Sequence, residues 1–374
     1  MTGSFRMSAP RLLGLEGLAA QELREIGAAD VAAQDGRVFF SGDAEMLARA
    51  NLWSRYAERI QIFLASFEAR TFDELFEGTK ALPWENWIGK TDRFPVKGHT
   101  LSSALRSVPD CQSIIKKAIV ERLREKYRLS WFEETGALFQ VQFLLRKDTV
   151  SLMIDTSGAG LHKRGYRAIA NDAPIKETLA AAMANLSRLR RDANMIDPFC
   201  GSGTILIESA LYALNIAPGL RRKFVCEDWR AIGTSVFRTE RDRARGLIRR
   251  DTPFHAQGYD IDPAAIELAR ANAEKAGVAG KISVEKRDIR DFSEAGEYGC
   301  VICNPPYGER LLDLEAAREL YRAMGSAFEK KRGWNYTVIS HDADFETFFG
   351  RPADRRRKLY NGNLPCQVYM YFKY

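Results

Sequence analysis

The stretch at residues 197–204, Asp-Pro-Phe-Cys-Gly-Ser-Gly-Thr, decides the fold. It follows a short apolar strand at Met195–Ile196 and precedes an apolar helix that begins near Ile205. Glycines at a strand-to-helix turn let a ligand approach the backbone, and the helix N-terminus offers free N–H groups. We therefore expect a ligand-binding turn at the carboxyl end of a strand in an α/β domain.

Strand and helix patterns alternate around this stretch, from about residue 165 onward. The other strand candidates are Ala256–Tyr259, Ile282–Val284, Val301–Cys303 and Thr337–Ile339. This alternation predicts a doubly wound, mostly parallel, Rossmann-like sheet.

Two local patterns refine that prediction. A helix is expected over Pro263–Ala276, with Asp262 as its N-cap and Gly277 as its stop. Near the C-terminus, residues 358–360 and 368–372 flank the turn Asn361-Gly362-Asn363, which predicts a hairpin and an antiparallel strand at or near the sheet edge.

The N-terminal half has a different pattern of predicted strands and helices. Residues 1–65 are predicted to form a small α/β unit, and residues 66–160 mix strand patterns with a basic helix over Cys111–Tyr127. We expect a third domain, carrying the glycine-containing turn, over residues 161–374.

Composition narrows the class of protein. The 374 residues are 45% hydrophobic and 28% charged, with a net charge of +7, which is consistent with a polyanionic partner. No apolar run approaches the roughly 18 residues of a membrane span. The six cysteines lack the paired spacing of a zinc site, so we expect a cytoplasmic protein with free thiols, no metal and no membrane association.

The turn at 197–204 does not fit a dinucleotide site, because Leu206 stands where the third glycine would be required. An acidic residue opening the loop suits a cofactor with a cationic amino-acid moiety, as in S-adenosylmethionine. Asp260, at the end of the second strand, is expected to accept both ribose hydroxyls, although a helix-capping role remains open. Asp288, after the third strand, could accept from the adenine amino group, or could be an ordinary strand-end acid.

The most informative motif is Asn304-Pro305-Pro306-Tyr307, directly after the strand Val301–Cys303. An exocyclic amino group of a base is a poor nucleophile, because its lone pair is delocalised into the ring. The side-chain oxygen of Asn304 and the carbonyl of Pro305 can hold the two amino hydrogens, so that the lone pair faces a methyl donor. The prolines fix the backbone, and Tyr307 offers a flat surface for an unstacked base.

These two motifs carry a resemblance. The string at 197–204 followed by Asn-Pro-Pro-Tyr-Gly at 304–308 resembles the class I amino-methyltransferases of nucleic acids. Residues 161–167, Leu-His-Lys-Arg-Gly-Tyr-Arg, and residues 12–18 are similar to segments of bacterial ribosomal RNA guanine-N2 methyltransferases with a THUMP domain. That family implies an N-terminal ferredoxin-like unit, a THUMP RNA-binding domain and a catalytic domain.

The resemblance implies S-adenosylmethionine as cofactor and RNA, most readily ribosomal RNA, as partner. The expected cofactor-binding residues are Asp197, Phe199, Gly201, Gly203, Thr204, Asp260, Ile261, Asp288 and Asn304. The expected catalytic residues are Asn304, Pro305, Pro306 and Tyr307.

Two rival hypotheses stay open at this stage, and one segment departs from the pattern. The motif alone does not separate guanine N2 from adenine N6, so a DNA adenine methyltransferase is one rival. An RNA-binding assembly protein without turnover is the other. The arginine-rich segment 238–250 is expected to be either a solvated helix face or an RNA contact.

Overall fold

Two seven-stranded sheets organise the chain, one in each half. The computed structural model describes residues 3–34, 36–167, 175–294, 296–307, 314–328, 332–362 and 364–372. The N-terminal sheet has the order β2-β3-β1-β4-β7-β6-β5, and the C-terminal sheet has the order β10-β9-β8-β11-β12-β14-β13.

The strands of the N-terminal sheet are β1 (Phe5–Pro10), β2 (Ala29–Gln34), β3 (Arg37–Gly42), β4 (Gln61–Glu68), β5 (Val96–Leu101), β6 (Val141–Arg146) and β7 (Thr149–Asp155). Its helices are α1 (Glu16–Glu25), α2 (Ala44–Trp53), α3 (Phe72–Lys80) and α4 (Val108–Tyr127). Strand β1 pairs with β4 through Met7 and Ser8, so the sheet is continuous from the first 65 residues into the middle region. Strand β4 passes through residue 65, where the sequence suggested a domain boundary.

The C-terminal half contains strands β8 (Asn194–Asp197), β9 (His255–Asp260), β10 (Ile282–Lys286), β11 (Gly299–Cys303), β12 (Trp334–Ser340), β13 (Arg355–Asn361) and β14 (Leu364–Tyr371). Its helices are α5 (Glu177–Leu186), α6 (Thr204–Ala213), α7 (Thr234–Gly246), α8 (Pro263–Ala276), α9 (Leu314–Ala327) and α10 (Phe345–Phe349). Strands β8 to β12 are parallel, and β14 joins them antiparallel to β12.

The sequence predicted this half well. Helix α8 has Asp262 as its N-cap, whose side chain accepts from Ala264 N, and it stops at Gly277 with φ of 74°. The C-terminal hairpin is present, with β13 at the sheet edge. Asn363 of its expected turn lies outside the described residues. The doubly wound sheet with an antiparallel edge hairpin is confirmed.

Burial explains why the two halves pack together. Helix α7 packs against α2, and one buried apolar cluster extends from Phe5 in the first strand to Leu359 and Phe372 near the C-terminus. Among the described residues, no helix combines the length and apolar character that a membrane crossing requires.

Candidate active site

The parallel strands of the C-terminal sheet place the predicted residues at one edge. Strand β8 ends at Asp197, β9 ends at Asp260, and β11 is followed directly by Asn304. The chain order reverses between β8 and β11, and open α/β sheets bind ligands at such a switch point.

The glycine-containing turn is held on several sides. Cys200 N donates to Tyr259 O at 2.9 Å, and Gly201 N donates to Asp260 Oδ2 at 3.0 Å. Gly203 has φ of 77°, and a Cβ there would lie 3.1 Å from the Cβ of Ala269 in α8. Glycine is therefore required both by the left-handed backbone and by the close approach of α8.

Asp197 is the acid with the most perturbed environment in this turn. It is 1% exposed, and its Oδ1 accepts from Phe199 N at 3.1 Å. Burial, and secondarily the negative charge of Asp260, raise the pKa of Asp197 to about 8. Asp197 and Asp260 therefore lie close together beside the turn, and a cationic ligand would relieve the repulsion between their negative charges.

Asp260 and Ile261 follow this turn on β9. The Asp260 carboxylate accepts from Gly201 N and, through Oδ1, from Asp262 N at 3.0 Å. Each carboxylate oxygen has a further lone pair, so these bonds leave acceptor capacity for ligand hydroxyls. Ile261 is 64% exposed beside it, and so offers an apolar surface next to the acid.

Asp288 lies after β10 and has local partners. Its Oδ1 accepts from Arg290 N at 2.9 Å, which caps a short 3-10 turn, and Oδ2 pairs with the Arg290 guanidinium at 3.1 Å. A capping role is therefore present in the structure, and the expected contact with adenine stays a prediction.

The Asn304–Tyr307 segment follows β11 and is tied together internally. The Tyr307 hydroxyl donates to Asn304 Oδ1, and burial raises the pKa of Tyr307 well above its usual range, so the phenol keeps its proton. The Tyr307 ring is half-buried and packs against the main core. One lone pair of the Asn304 oxygen remains for another donor.

Three contacts of this segment were not predicted from the sequence. Tyr321 of α9 donates to Pro306 O at 3.4 Å, and the Tyr307 hydroxyl lies beside Asn361 and Cys366 of the C-terminal hairpin. No local signal links residues 307 and 361, because their contact depends on the order of the strands.

The junction segment 161–167 also contacts the turn, which the sequence did not show. Arg167 Nη2 donates to Thr204 Oγ1 at 2.8 Å and pairs with Glu177 at 3.6 Å. Arg164 is 4% exposed and pairs with the buried Glu208 of α6. Arg164 and Arg167 therefore hold helix α6 in position.

Five arginines of segment 238–250 are exposed, as expected for a solvated face: Arg238, Arg243, Arg245, Arg249 and Arg250. The expected RNA contact stays a prediction, and two other residues of the segment, both on helix α7, make interior contacts. Glu240 accepts from the Arg49 guanidinium of α2 at 2.8 and 3.0 Å, and Arg241 pairs with Glu227 at 2.6 Å. The central part of segment 238–250 therefore joins the two halves of the protein and is not simply a solvated face.

The chemistry of the residues around the glycine-containing turn fits S-adenosylmethionine. The buried Asp197 and the half-buried Asp260 beside it suit a cationic amino-acid moiety, and the glycine turn lets a ligand approach the backbone closely. Among the described residues, no group of three metal-ligating side chains is present.

Comparison with protein families agrees with this geometry. An RMKL-like methyltransferase domain matches residues 164–370, an RlmL ferredoxin-like domain matches residues 6–61, and a THUMP domain matches residues 69–155. The first of these matches alone covers more than half of the chain.

Curated relatives match over nearly the whole chain. YpsC of Bacillus subtilis, which carries the provisional name of an RNA methyltransferase, is 44% identical over 98% of this chain and 96% of its own length. "Ribosomal RNA large subunit methyltransferase K/L" of Shewanella frigidimarina is 34% identical over 98% of this chain and 52% of its own length. The chain thus spans about half the length of the K/L relatives.

Solved structures superpose closely. A Listeria monocytogenes protein named as a predicted N6-adenine-specific DNA methylase is 46% identical, with a TM-score of 0.94 over 100% of this chain and 97% of that one. SMU.472, provisionally named a methyltransferase and crystallised with SAH, is 40% identical, with a TM-score of 0.94 over 100% of this chain and 99% of that one.

Proposed function

This chain belongs to the RMKL-like methyltransferase family with ferredoxin-like and THUMP domains, and from that premise we propose that it methylates an exocyclic amino group of a base in RNA. We further propose that the target is guanine N2 in large-subunit ribosomal RNA. The cofactor is S-adenosylmethionine, which supplies an electrophilic methyl group when bound. A neighbour of the same fold that was crystallised with SAH, the demethylated form of this cofactor, supports that choice.

The observation that carries the proposal is the position of Asn304. It follows a parallel strand adjacent to β8, so its side chain stands at the same sheet edge as Asp197 and the glycine turn. Its Oδ1 already accepts from the Tyr307 hydroxyl, which orients the amide, and its second lone pair can accept one amino hydrogen of the base.

The two prolines of the segment complete the orientation of the amino group of the base. The carbonyl of Pro305 is the proposed acceptor for the second amino hydrogen, and neither proline carries an N–H that would compete. Holding both hydrogens aims the nitrogen lone pair in one direction before reaction. No general base is needed until the methylated amine releases its proton.

We propose separate roles for the acids of the cofactor pocket. Asp197 and Asp260 would bind the cationic amino-acid part and the ribose hydroxyls, and the exposed Ile261 would cover one face of the adenine ring. Thr204, held by Arg167, begins helix α6 at the end of the turn. Asp288 would accept from the adenine amino group through a carboxylate lone pair that its bonds from Arg290 leave free.

Guanine N2 and ribosomal RNA rest on family membership more than on local geometry. The K/L relatives are named for ribosomal RNA, and the chain covers about half of their length. A THUMP domain match at residues 69–155 favours RNA over DNA. DNA adenine N6 remains the rival substrate, because the same four residues could orient that amino group.

Substitution at Asn304 tests the proposed chemistry. Asn304→Ala is expected to lower kcat about 10²–10³-fold, by analogy with loss of one preorganised polar group, while RNA affinity stays unchanged. Asn304→Asp keeps an acceptor oxygen in place and should retain more activity than the alanine variant. Methyl transfer from labelled cofactor and RNA binding would be measured on the same preparations.

Two results would contradict the proposal. Equal activity of Asn304→Ala and wild type would exclude the amide oxygen from catalysis. An RNA-binding protein without turnover would show no methyl transfer in any variant, while binding RNA with the same affinity throughout.

A further inference from the structure

Helices cover one side of the N-terminal sheet, and the other side is partly exposed. Along β1 and β3, the paired residues Met7 and Phe40 are fully buried, as are Leu152 and Leu145 further along the sheet. The side chains of the alternate positions point to the other side. We call that side the open face and define it by Arg6, Arg37, Phe39, Phe63, Lys97 and Arg146.

Aromatic rings and arginines lie together at the centre of the open face. The rings of Phe39 and Phe63 meet edge to face, with centroids 5.3 Å apart. The Arg6 guanidinium lies over both rings, at 5.2 and 5.0 Å from their centroids. Phe39 is buried beneath these groups, but Arg6 is exposed and Phe63 is half-buried, so a ligand can reach the cluster through these two side chains.

A second arginine extends the cluster across the strands. Arg37 lies 5.9 Å from the Phe39 centroid and donates to Ser8 Oγ at 3.4 Å. Its guanidinium also reaches the sulfur of Met153 on β7, at 3.1 Å. Burial, and secondarily the positive charge of Arg146, lower the pKa of Arg37, so two cations approach one another over this part of the sheet.

The open face carries an excess of positive charge. Lys97 and Arg146 are exposed on neighbouring strands β5 and β6. Among the described residues at register-paired positions on the same side, the acids are Glu68, at the far end, and Asp155, which is buried and paired with Arg59. This charge complements a polyanion, and aromatic rings on an open sheet suit stacking by unpaired bases.

A chain of contacts joins the open face to the candidate active site. Glu16 accepts from Gly36 N, beside Arg37, at 3.2 Å and from Gly14 N at 2.8 Å. Arg357 of β13 donates to Gly14 O through both Nε and Nη2. Strand β13 ends at Asn361, beside the Tyr307 hydroxyl.

We propose that the open face binds an unpaired segment of the RNA substrate that flanks the target base. This inference rests on the proposed function and adds to it the surface that holds the RNA. Phosphates meet Arg6, Arg37, Lys97 and Arg146, and bases stack on or beside Phe63. The strand then passes the Gly14 loop and the C-terminal hairpin to reach Tyr307.

The helix-covered side offers a closely matched control. There, exposed Lys117 of α4 lies 5.7 Å from the centroid of half-buried Phe76. Arg6→Glu and Lys117→Glu change the net charge equally, and Phe63→Leu and Phe76→Leu remove equivalent rings. Any difference in RNA binding between the two variants of a pair therefore comes from the surface that carries the substitution, and not from the change in total charge.

The experiment measures binding of protein-free large-subunit ribosomal RNA over a range of salt concentrations, together with KM and kcat for methyl transfer. Arg6→Glu is expected to weaken RNA binding about tenfold at low salt and to reduce the salt dependence of binding. Phe63→Leu should weaken binding several-fold with the salt dependence unchanged, because stacking carries no charge. For both variants KM for RNA should rise while kcat is retained. Thermal unfolding and SAH binding verify that the variants fold.

The outcomes separate this inference from the proposed function. Equal effects in each pair, or a larger effect at Lys117, would overturn the open face as the RNA surface even if the enzyme methylates RNA. Loss of RNA binding confined to the open-face variants would support the surface even if methyl transfer went to another substrate. Wild-type protein that does not bind RNA would overturn both, and would leave the face to a protein partner.

Discussion

At the scale of single residues, the candidate site is governed by a conflict between burial and charge at Asp197. The protein buries an acid beside Asp260, and this arrangement costs stability in the ligand-free state. A cationic ligand offsets part of that cost. Cofactor affinity therefore depends on the ionisation of the Asp197 carboxyl group. Binding sites often retain such locally unfavourable groups, because their energy is recovered in the complex.

Asp197→Asn is expected to stabilise the ligand-free protein while abolishing cofactor binding. The folded-state pKa of Asp197, about 8, is raised above its unfolded value, so the free energy of unfolding falls as pH rises from about 4 to about 8. The asparagine removes this slope, and at pH 8 the gain should be on the order of a few kcal/mol. Denaturant unfolding at several pH values measures it; a variant less stable than wild type at pH 8 would contradict the account.

Cofactor binding should release a proton from the same residue. Near neutral pH the Asp197 carboxyl is largely protonated in the free protein, and a cation favours its ionised form. Calorimetry of SAH binding in two buffers with different ionisation enthalpies would detect the release. The number of protons should decline as pH rises above about 8, and proton release that is the same at pH 6 and pH 9 would exclude Asp197 as the source.

Tyr307→Phe should lower kcat about 3–10-fold, the effect of losing one hydrogen bond, because the hydroxyl no longer orients Asn304 Oδ1. The ring that would receive the base is kept, so KM for RNA should change little. Tyr307→Leu serves as the comparison and should raise KM as well. Steady-state kinetics on the same RNA distinguish the two variants, and an equal rise of KM in both would argue against orientation through the hydroxyl.

At the scale of elements, local signals predicted structure where the determinants are local. Helix α8 was predicted from its cap, its first-turn proline and its terminal glycine, and these residues act as expected. Strands β1 and β4 were not predicted, because their pairing with one another depends on residues far apart in the chain. Asp197, Asp260 and Asn304 were brought to one edge by strand order, which the alternation already implied. Arg167 and Asn361 were missed because only the tertiary fold brings them near the site.

The ion pair of helix α7 with α2 also could not be predicted from the sequence. Its Glu240 binds Arg49, which lies 191 positions earlier in the chain, so no sequence window could show the pair. Glu240→Gln should lower the free energy of unfolding by about 1–3 kcal/mol, because charged hydrogen bonds between packed helices are lost. Asp242→Asn is the matched control, since Asp242 is exposed and its ion-pair partner among the described residues is Arg245 of the same helix; it should change stability by less than about 0.5 kcal/mol. Equal effects would show that α7 contributes no specific contact between the halves.

At the scale of the whole molecule, the N-terminal half and the C-terminal half share one buried polar network. Arg164 donates to the Ser54 and Arg55 carbonyls of the N-terminal half and pairs with Glu208 of α6. Tyr166 also donates to Glu208 at 3.0 Å, and Arg167 holds Thr204 at the start of that helix. The position of the glycine turn therefore depends on contacts with the domains that precede it.

Arg164→Met should destabilise the protein by about 3–5 kcal/mol, because it leaves the Glu208 charge buried without its partner. The double variant Arg164→Met with Glu208→Met should lose less than the sum of the two single variants, since both charges are removed together. Denaturant unfolding of all four proteins in this cycle gives the coupling energy. Additive losses would mean that Arg164 and Glu208 do not stabilise one another.

The most direct test of the central claim is to identify the methylated nucleoside. Labelled S-adenosylmethionine would be incubated with the protein and, in parallel, with total RNA and with genomic DNA from cells that lack the gene; the products would then be digested and separated. The account predicts labelled N2-methylguanosine from RNA alone. Labelled N6-methyladenine from DNA would contradict it.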